Sequence, residues 1–182
     1  DVLIDAGSGV GDLSLAELTR IDHIFVTHSH LDHVTSIPFL VDTVGAMRAR
    51  PLIVHATGAT IQILKNHLLN WSIWPDFTEI PTPEAPFMRY EEIELGRSVT
   101  IDGREFTALP AIHAVPAVGY HLDSGQGSLV FSGDTGPNDE LWKIVNRISN
   151  LKVLIIETAF SNKERHIAEI SRHLCPSMLA EE

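Results

Sequence analysis

Thr27-His28-Ser29-His30-Leu31-Asp32-His33 places four potential metal-ligating side chains within six positions. His28 and His30, two apart in an extended segment, point to the same side and can hold one metal through their imidazoles. Asp32 and His33 open the next turn and can reach a second metal. A hydrophobic core does not gather three imidazoles without something to satisfy them, so the run is read as the seed of a two-metal site and not as a solvated loop. Cys175 is the only cysteine. A thiolate cluster and an intrachain disulfide are therefore excluded, and the ligands must be imidazole nitrogens and carboxylate oxygens.

The elements that carry this run can be read from apolar segments and turn signals. Residues 2–4 (Val-Leu-Ile) form a short buried strand closed by Asp5-Ala6-Gly7-Ser8-Gly9, which leaves Asp5 at a strand end. Residues 13–19 suggest a short amphipathic helix. Residues 22–27 suggest a second buried strand delivering the histidines at its C-terminal end, where sites in α/β proteins tend to form. Helices are expected over 31–44 and 59–69, with a strand at 51–55 between them. Residues 70–86, aromatic and proline-containing, read as a loop or lid. Five segments follow (91–95, 99–101, 105–109, 117–122 and 128–132), punctuated by Asp102-Gly103 and Ser124-Gly125, and these read as an antiparallel meander. A helix at 139–148, a buried strand at 153–157, a helix near 163–171 and a helix from Pro176 complete the series. Helices flanking two sets of strands suggest an α/β chain built as a four-layer αββα sandwich.

With 182 residues, one domain spanning 1–182 is the expectation. Apolar residues make up 44% and charged residues 20%, a globular composition and not a disordered one. The net charge of −11, from 24 acidic and 13 basic residues, comes with no Lys/Arg cluster, so a long nucleic acid is a poor expectation for the partner. No apolar stretch approaches the ~20 residues of a membrane span. The chain opens within a strand pattern and ends within a helix pattern. Both ends of the domain, and any signal peptide, are therefore expected to lie outside it, and cytoplasmic and periplasmic locations both stay open.

An HxHxDH run after an apolar strand resembles the signature of the metallo-β-lactamase superfamily. Asp5 in LIDAG resembles that family's early supporting aspartate, His113 in IHAVPAVGY its third histidine, and Asp134 in FSGDTG its bridging aspartate. Within the superfamily, THSHLDHVTSIPFLV, Trp74-Pro75-Asp76, IETAF and the HLCP of His173 to Pro176 are most similar to the class II 3′,5′-cyclic-nucleotide phosphodiesterases. The resemblance covers nearly the whole chain. It departs from the family where the opening strands, and a last histidine completing the second site, would be expected beyond the two ends.

The resemblance implies two divalent cations, zinc first, with manganese or iron also compatible with such ligands. His28, His30, His113 and Asp134 would hold one, and Asp32, His33 and Asp134 the other. A water between the metals would lose its proton near neutral pH and attack phosphorus, opening a cyclic nucleotide (cAMP or cGMP) to its 5′-monophosphate. His173 would donate to a phosphoryl oxygen or to the leaving group, and Asp32 is counted with it among the catalytic residues. His67, Asn70, Trp71 and Trp74 would wall the base, since purines stack on aromatic faces. The expected partner is a small cyclic nucleotide, and a homodimer is the assembly considered. A tRNA 3′-end-processing endonuclease is the competing reading, disfavoured by Ile156 where those enzymes carry a histidine before the glutamate. Another hydrolase of the same fold and a non-catalytic scaffold are the remaining alternatives.

Overall fold

The computed structural model describes residues 1–182. Its contacts divide the chain into two compact units, residues 1–92 and 93–182. No helix is long and apolar enough to cross a membrane.

The first unit alternates strand and helix: β1 (Val2–Ile4), α1 (Leu15–Arg20), β2 (His23–Phe25), α2 (Leu31–Val34), α3 (Ser36–Val44), β3 (Leu52–Ala56), α4 (Gly58–His67) and β4 (Met88–Glu92). The strands form one parallel sheet in the order β1-β2-β3-β4. Side chains alternate across it. Ile24, Leu52, Val54 and Met88 join a core with Ile37, Leu40, Val41 and Val44, the apolar face of α3. The opposite face carries His23, Phe25 and His55. Phe25 stacks on His55 with ring centroids 4.3 Å apart, and His23 Nδ1 lies 3.0 Å from His55 Nε2. Burial pushes the His55 imidazole down to about 4, and neighbouring His23 adds to the shift. Helix starts follow local chemistry: Ser14 and Glu17 form a reciprocal capping box on α1, and Thr57 caps α4.

The second unit is a five-stranded sheet in the order β5 (Ser98–Ile101), β6 (Arg104–Pro110), β7 (Val118–Asp123), β8 (Ser128–Phe131) and β9 (Leu151–Ile155). β5 to β8 are antiparallel and β9 is parallel to β8. Asp102 and Gly103 both have positive φ (49° and 75°), the turn that a two-residue hairpin requires. α5 (Asp139–Val145) packs Leu141 and Val145 onto Leu109 and Val130. α6 (Arg165–Ser171) and α7 (Pro176–Glu181) enclose a smaller cluster of Ala168, Leu174, Cys175 and Met178.

Three expectations need correction. The buried strand expected at 153–157 is β9, Leu151–Ile155, whose Val153 and Ile155 are each 46% exposed. The strand expected at 91–95 as the start of the meander is β4, which ends at Glu92 and pairs in parallel with β3, Val54 beside Tyr90. Turn signals report hairpins, whereas a parallel partner lies across a helix and leaves no local mark. The helix expected over 31–44 is broken at Thr35. There the Ser36 N–H bonds to the Ala6 carbonyl at 2.8 Å instead of continuing the helical ladder, and Pro38 has no N–H to offer Val34.

Candidate metal centre

In the first unit the histidine run leaves β2 as irregular backbone that ends at His30, the residue flanking the N-terminus of α2. Asp5 holds it from below. Its own backbone is left-handed (φ 59°), a conformation that aspartate tolerates better than most residues. Asp5 Oδ1 accepts the Thr27 N–H at 2.7 Å, and Oδ2 accepts the Thr27 hydroxyl at 2.8 Å and lies 2.7 Å from His33 Nδ1. A carboxylate can only accept, so His33 Nδ1 carries the proton and Nε2 is the lone-pair atom. That Nε2 lies 3.5 Å from Asp32 Oδ2.

The same argument applies to His28, which is fully buried. The Thr27 hydroxyl gives its proton to Asp5 and lies 3.0 Å from His28 Nδ1, so that nitrogen is the donor and Nε2 is the lone-pair atom. His28 Nε2 faces His30 Nδ1 at 3.0 Å. Two ligand atoms on one tetrahedral zinc stand about 3.3 Å apart, from bonds of about 2.0–2.1 Å. Both pairs, His28 with His30 and His33 with Asp32, have the spacing and the donor types that a divalent cation needs. Close approach of the two loops is part of the construction: a Cβ on Gly7 would lie 1.9 Å from the Asp32 carbonyl oxygen.

In the second unit His113 follows β6, and Asp134 follows β8 through Gly133 (φ 61°). His113 Nδ1 lies 3.2 Å from the Arg172 carbonyl, which makes it the donor, and Nε2 lies 4.0 Å from Asp134 Oδ2. Ligand atoms of Asp134, Glu157 and His173 lie within 4.8 Å of one another. Glu157 is already committed. Its Oε1 accepts from Thr135 N–H at 3.0 Å and lies 2.7 Å from His173 Nδ1, while Oε2 accepts from Ala159 and Leu174 N–H at 2.9 and 3.2 Å. Glu157 therefore acts as a holder of His173, whose ring meets that of His113 edge to face at 4.8 Å. Asp134 and His113 are the side chains of this unit that the sequence reading set at the metal.

The expected base-binding residues are placed differently from one another. His67 ends α4 and is exposed. Asn70 is absorbed by its own turn, accepting Ser72 and Ile73 N–H at 3.0 and 2.8 Å and donating to the Asn66 carbonyl at 2.9 Å. Trp74 packs on the core and against Phe39 at 5.0 Å, while Trp71 is 57% exposed. Sequence reasoning assigned no role to the Thr27 hydroxyl or to Arg172. Thr27 at least stood inside the motif, whereas Arg172 gave no signal.

Sheets flanked by helices, with histidine and aspartate donors gathered at strand ends, define a metallo-β-lactamase-fold hydrolase. The chain belongs to this superfamily, since the model of the "Beta-lactamase superfamily domain" matches residues 1–179. A probable 3′,5′-cyclic-nucleotide phosphodiesterase of Yersinia pestis is 25% identical over 198 residues, covering 96% of this chain and 56% of the relative. A ribonuclease Z of Halorubrum lacusprofundi is 34% identical over 126 residues, covering 67% of this chain and 38% of that protein. The solved structure of unliganded yeast PDE1 shares the fold with a TM-score of 0.78 at 18% identity, covering 90% of this chain and 51% of that one. This chain thus spans little more than half the length of the Yersinia relative and less of the ribonuclease.

Proposed function

We propose that the protein hydrolyses 3′,5′-cyclic nucleotides to 5′-monophosphates. The observation that carries this reading is the pairing of prepared metal-donor atoms with a separate, carboxylate-held histidine, which suits phosphodiester cleavage better than cleavage of a carbonyl compound. Similarity to the Yersinia phosphodiesterase along 96% of the chain supports it.

In this reading His28, His30, His113 and Asp134 hold one divalent cation, and Asp32 and His33 hold a second, with Asp134 shared. Such cations, when bound, lower the pKa of coordinated water and offset charge on phosphoryl oxygens. Zinc suits the imidazole and carboxylate donors, and manganese and iron are compatible with them. The protein's own part is to hold the donors and to move one proton. Glu157 accepts from His173 Nδ1–H and so fixes the ring, whose imidazolium form carries its second proton at Nε2. The Nε2–H of that imidazolium would then pass to the departing 3′ oxygen as the oxygen of water, having released one proton to bulk solvent, bonds to phosphorus and the P–O3′ bond breaks; His173 regains its proton from solvent. The nucleotide ring opens and no fragment is released.

A second reading, a ribonuclease, is favoured by the 34% identity to the Halorubrum enzyme. Both are tested by one experiment. The zinc-loaded full chain is given 3′,5′-cAMP, 3′,5′-cGMP, bis(p-nitrophenyl) phosphate and a tRNA precursor, with and without chelator. Chelator-sensitive formation of a 5′-monophosphate is the expected result. Cleavage of the RNA, or of the generic diester alone, overturns the cyclic-nucleotide assignment.

A further inference from the structure

Arg172, immediately before the histidine assigned to proton transfer, sits in a conformation that needs explaining. It closes α6 with φ 58° and ψ 52°, the left-handed region usually given to glycine or asparagine at a helix C-terminus. A non-glycine residue there carries a backbone cost, and such costs persist where the surroundings over-determine them, often at functional sites.

The surroundings in question are His113, bound at both ends. Arg172 Nη1 donates to the His113 carbonyl at 2.8 Å, and the Arg172 carbonyl lies 3.2 Å from His113 Nδ1. Each residue thus donates to the other's main chain, the arginine by its side chain and the histidine by its ring. On the far side, a Cβ on Gly136 would meet the Arg172 backbone at 3.5 Å, and the Gly136 N–H bonds to the Ile112 carbonyl at 2.8 Å. The loop after β6 and the turn after α6 are therefore pinned together around His113.

We propose that Arg172 is a positioning residue for metal binding. Its guanidinium holds the His113 main chain where the ring must direct Nδ1–H onto the Arg172 carbonyl, and this presents Nε2 toward Asp134. Had the residue been needed only to end the helix, glycine would do so at lower backbone cost. The long side chain is retained because it clamps the ligand loop. This inference rests on His113 being a metal ligand, and it does not depend on which phosphodiester is cleaved.

The test compares Arg172→Met with Arg172→Lys in the full chain. Both substitutes bear the same left-handed backbone burden, but only lysine keeps a cationic donor. Arg172→Gly serves as a third variant that removes the clamp while relaxing the backbone. Zinc affinity is read by competition with a chromophoric chelator. The His113 tautomer is read from imidazole nitrogen shifts in the chelated protein, a signal that a purely structural role would leave unchanged. Expected results are a fall in zinc affinity of about 10-fold or more for Met and Gly, typical of lost outer-shell partners, with mixed His113 tautomers and partial recovery in Lys. Zinc affinity of Met and Gly within 2-fold of the parent overturns the assignment of Arg172 while leaving the metal centre intact. A parent chain that binds no zinc overturns the metal centre and this inference with it.

Discussion

His55 makes the folded state sensitive to acid, and the size of the effect follows from its surroundings. Its ring is 1% exposed, stacked on Phe25, and held against His23. Desolvation first, and His23 second, lower its pKa from 6.5 to about 4. Glu91 Oε2, 3.6 Å from His55 Nδ1, would favour the proton, but that carboxylate is 57% exposed and screened by water. Because the folded pKa lies below the unfolded one, the unfolded chain takes up the proton first. The stabilisation is complete above pH 6.5, shrinks as pH falls through 6.5, and stops shrinking near pH 4. At 1.36 kcal/mol per unit the whole loss is about 3 kcal/mol, of which about 2 kcal/mol falls between pH 7 and pH 5. His55→Phe keeps a ring for the stack and cannot titrate. Urea unfolding of parent and variant at pH 7 and pH 5, both with excess chelator, reads the contribution of His55 together with its coupling to His23, since the histidines that do not touch His55 enter both proteins alike. The parent should lose about 2 kcal/mol more than the variant between the two pH values. A difference between the proteins that is the same at both pH values would falsify the reasoning.

The division of roles at the site gives further outcomes. His28→Ala should lose bound metal and activity together, whereas His173→Ala should keep its metal and lose on the order of 10²–10⁴-fold in turnover. Equal metal loss in the two, measured by elemental analysis, contradicts the separation. Asp5→Asn puts an amide where three donors converge. It should cost about 2 kcal/mol of stability and weaken zinc binding without touching a ligand; unchanged melting and unchanged zinc affinity would refute the support role. Gly7→Ala, whose Cβ would lie 1.9 Å from the Asp32 carbonyl oxygen, should destabilise by about 1–3 kcal/mol and lower metal affinity. A melting temperature equal to the parent's would show that the two loops can separate at no cost.

The histidine run could be read because its information is local. Four ligand-type side chains in six residues, an aspartate closing the first strand, and apolar strands of three to five residues are all short-range patterns. Family membership followed from those residues and their order. Most of the second unit's strands were legible for the same reason, since Asp102-Gly103 and Ser124-Gly125 announce hairpins where they stand. The rest depended on partners far away in the chain. β4 joins β3 across α4, α3 is cut short because Ser36 finds the Ala6 carbonyl, and the aromatic residues of 70–86 divide between core and solvent.

The sequence alone determined which atoms could ligate a metal, because residue type and short spacing fix the available donors. Only the tertiary structure decided which nitrogen of these histidines is held by an acceptor and which is turned away from it. The Thr27 hydroxyl turns His28, Asp5 turns His33, the Arg172 carbonyl turns His113, and Glu157 turns His173. An imidazole has two equivalent claims to its single proton until a fixed acceptor takes one side. For all but His28 that acceptor comes from residues 28, 59 and 16 positions away, so no spacing in the sequence could announce it.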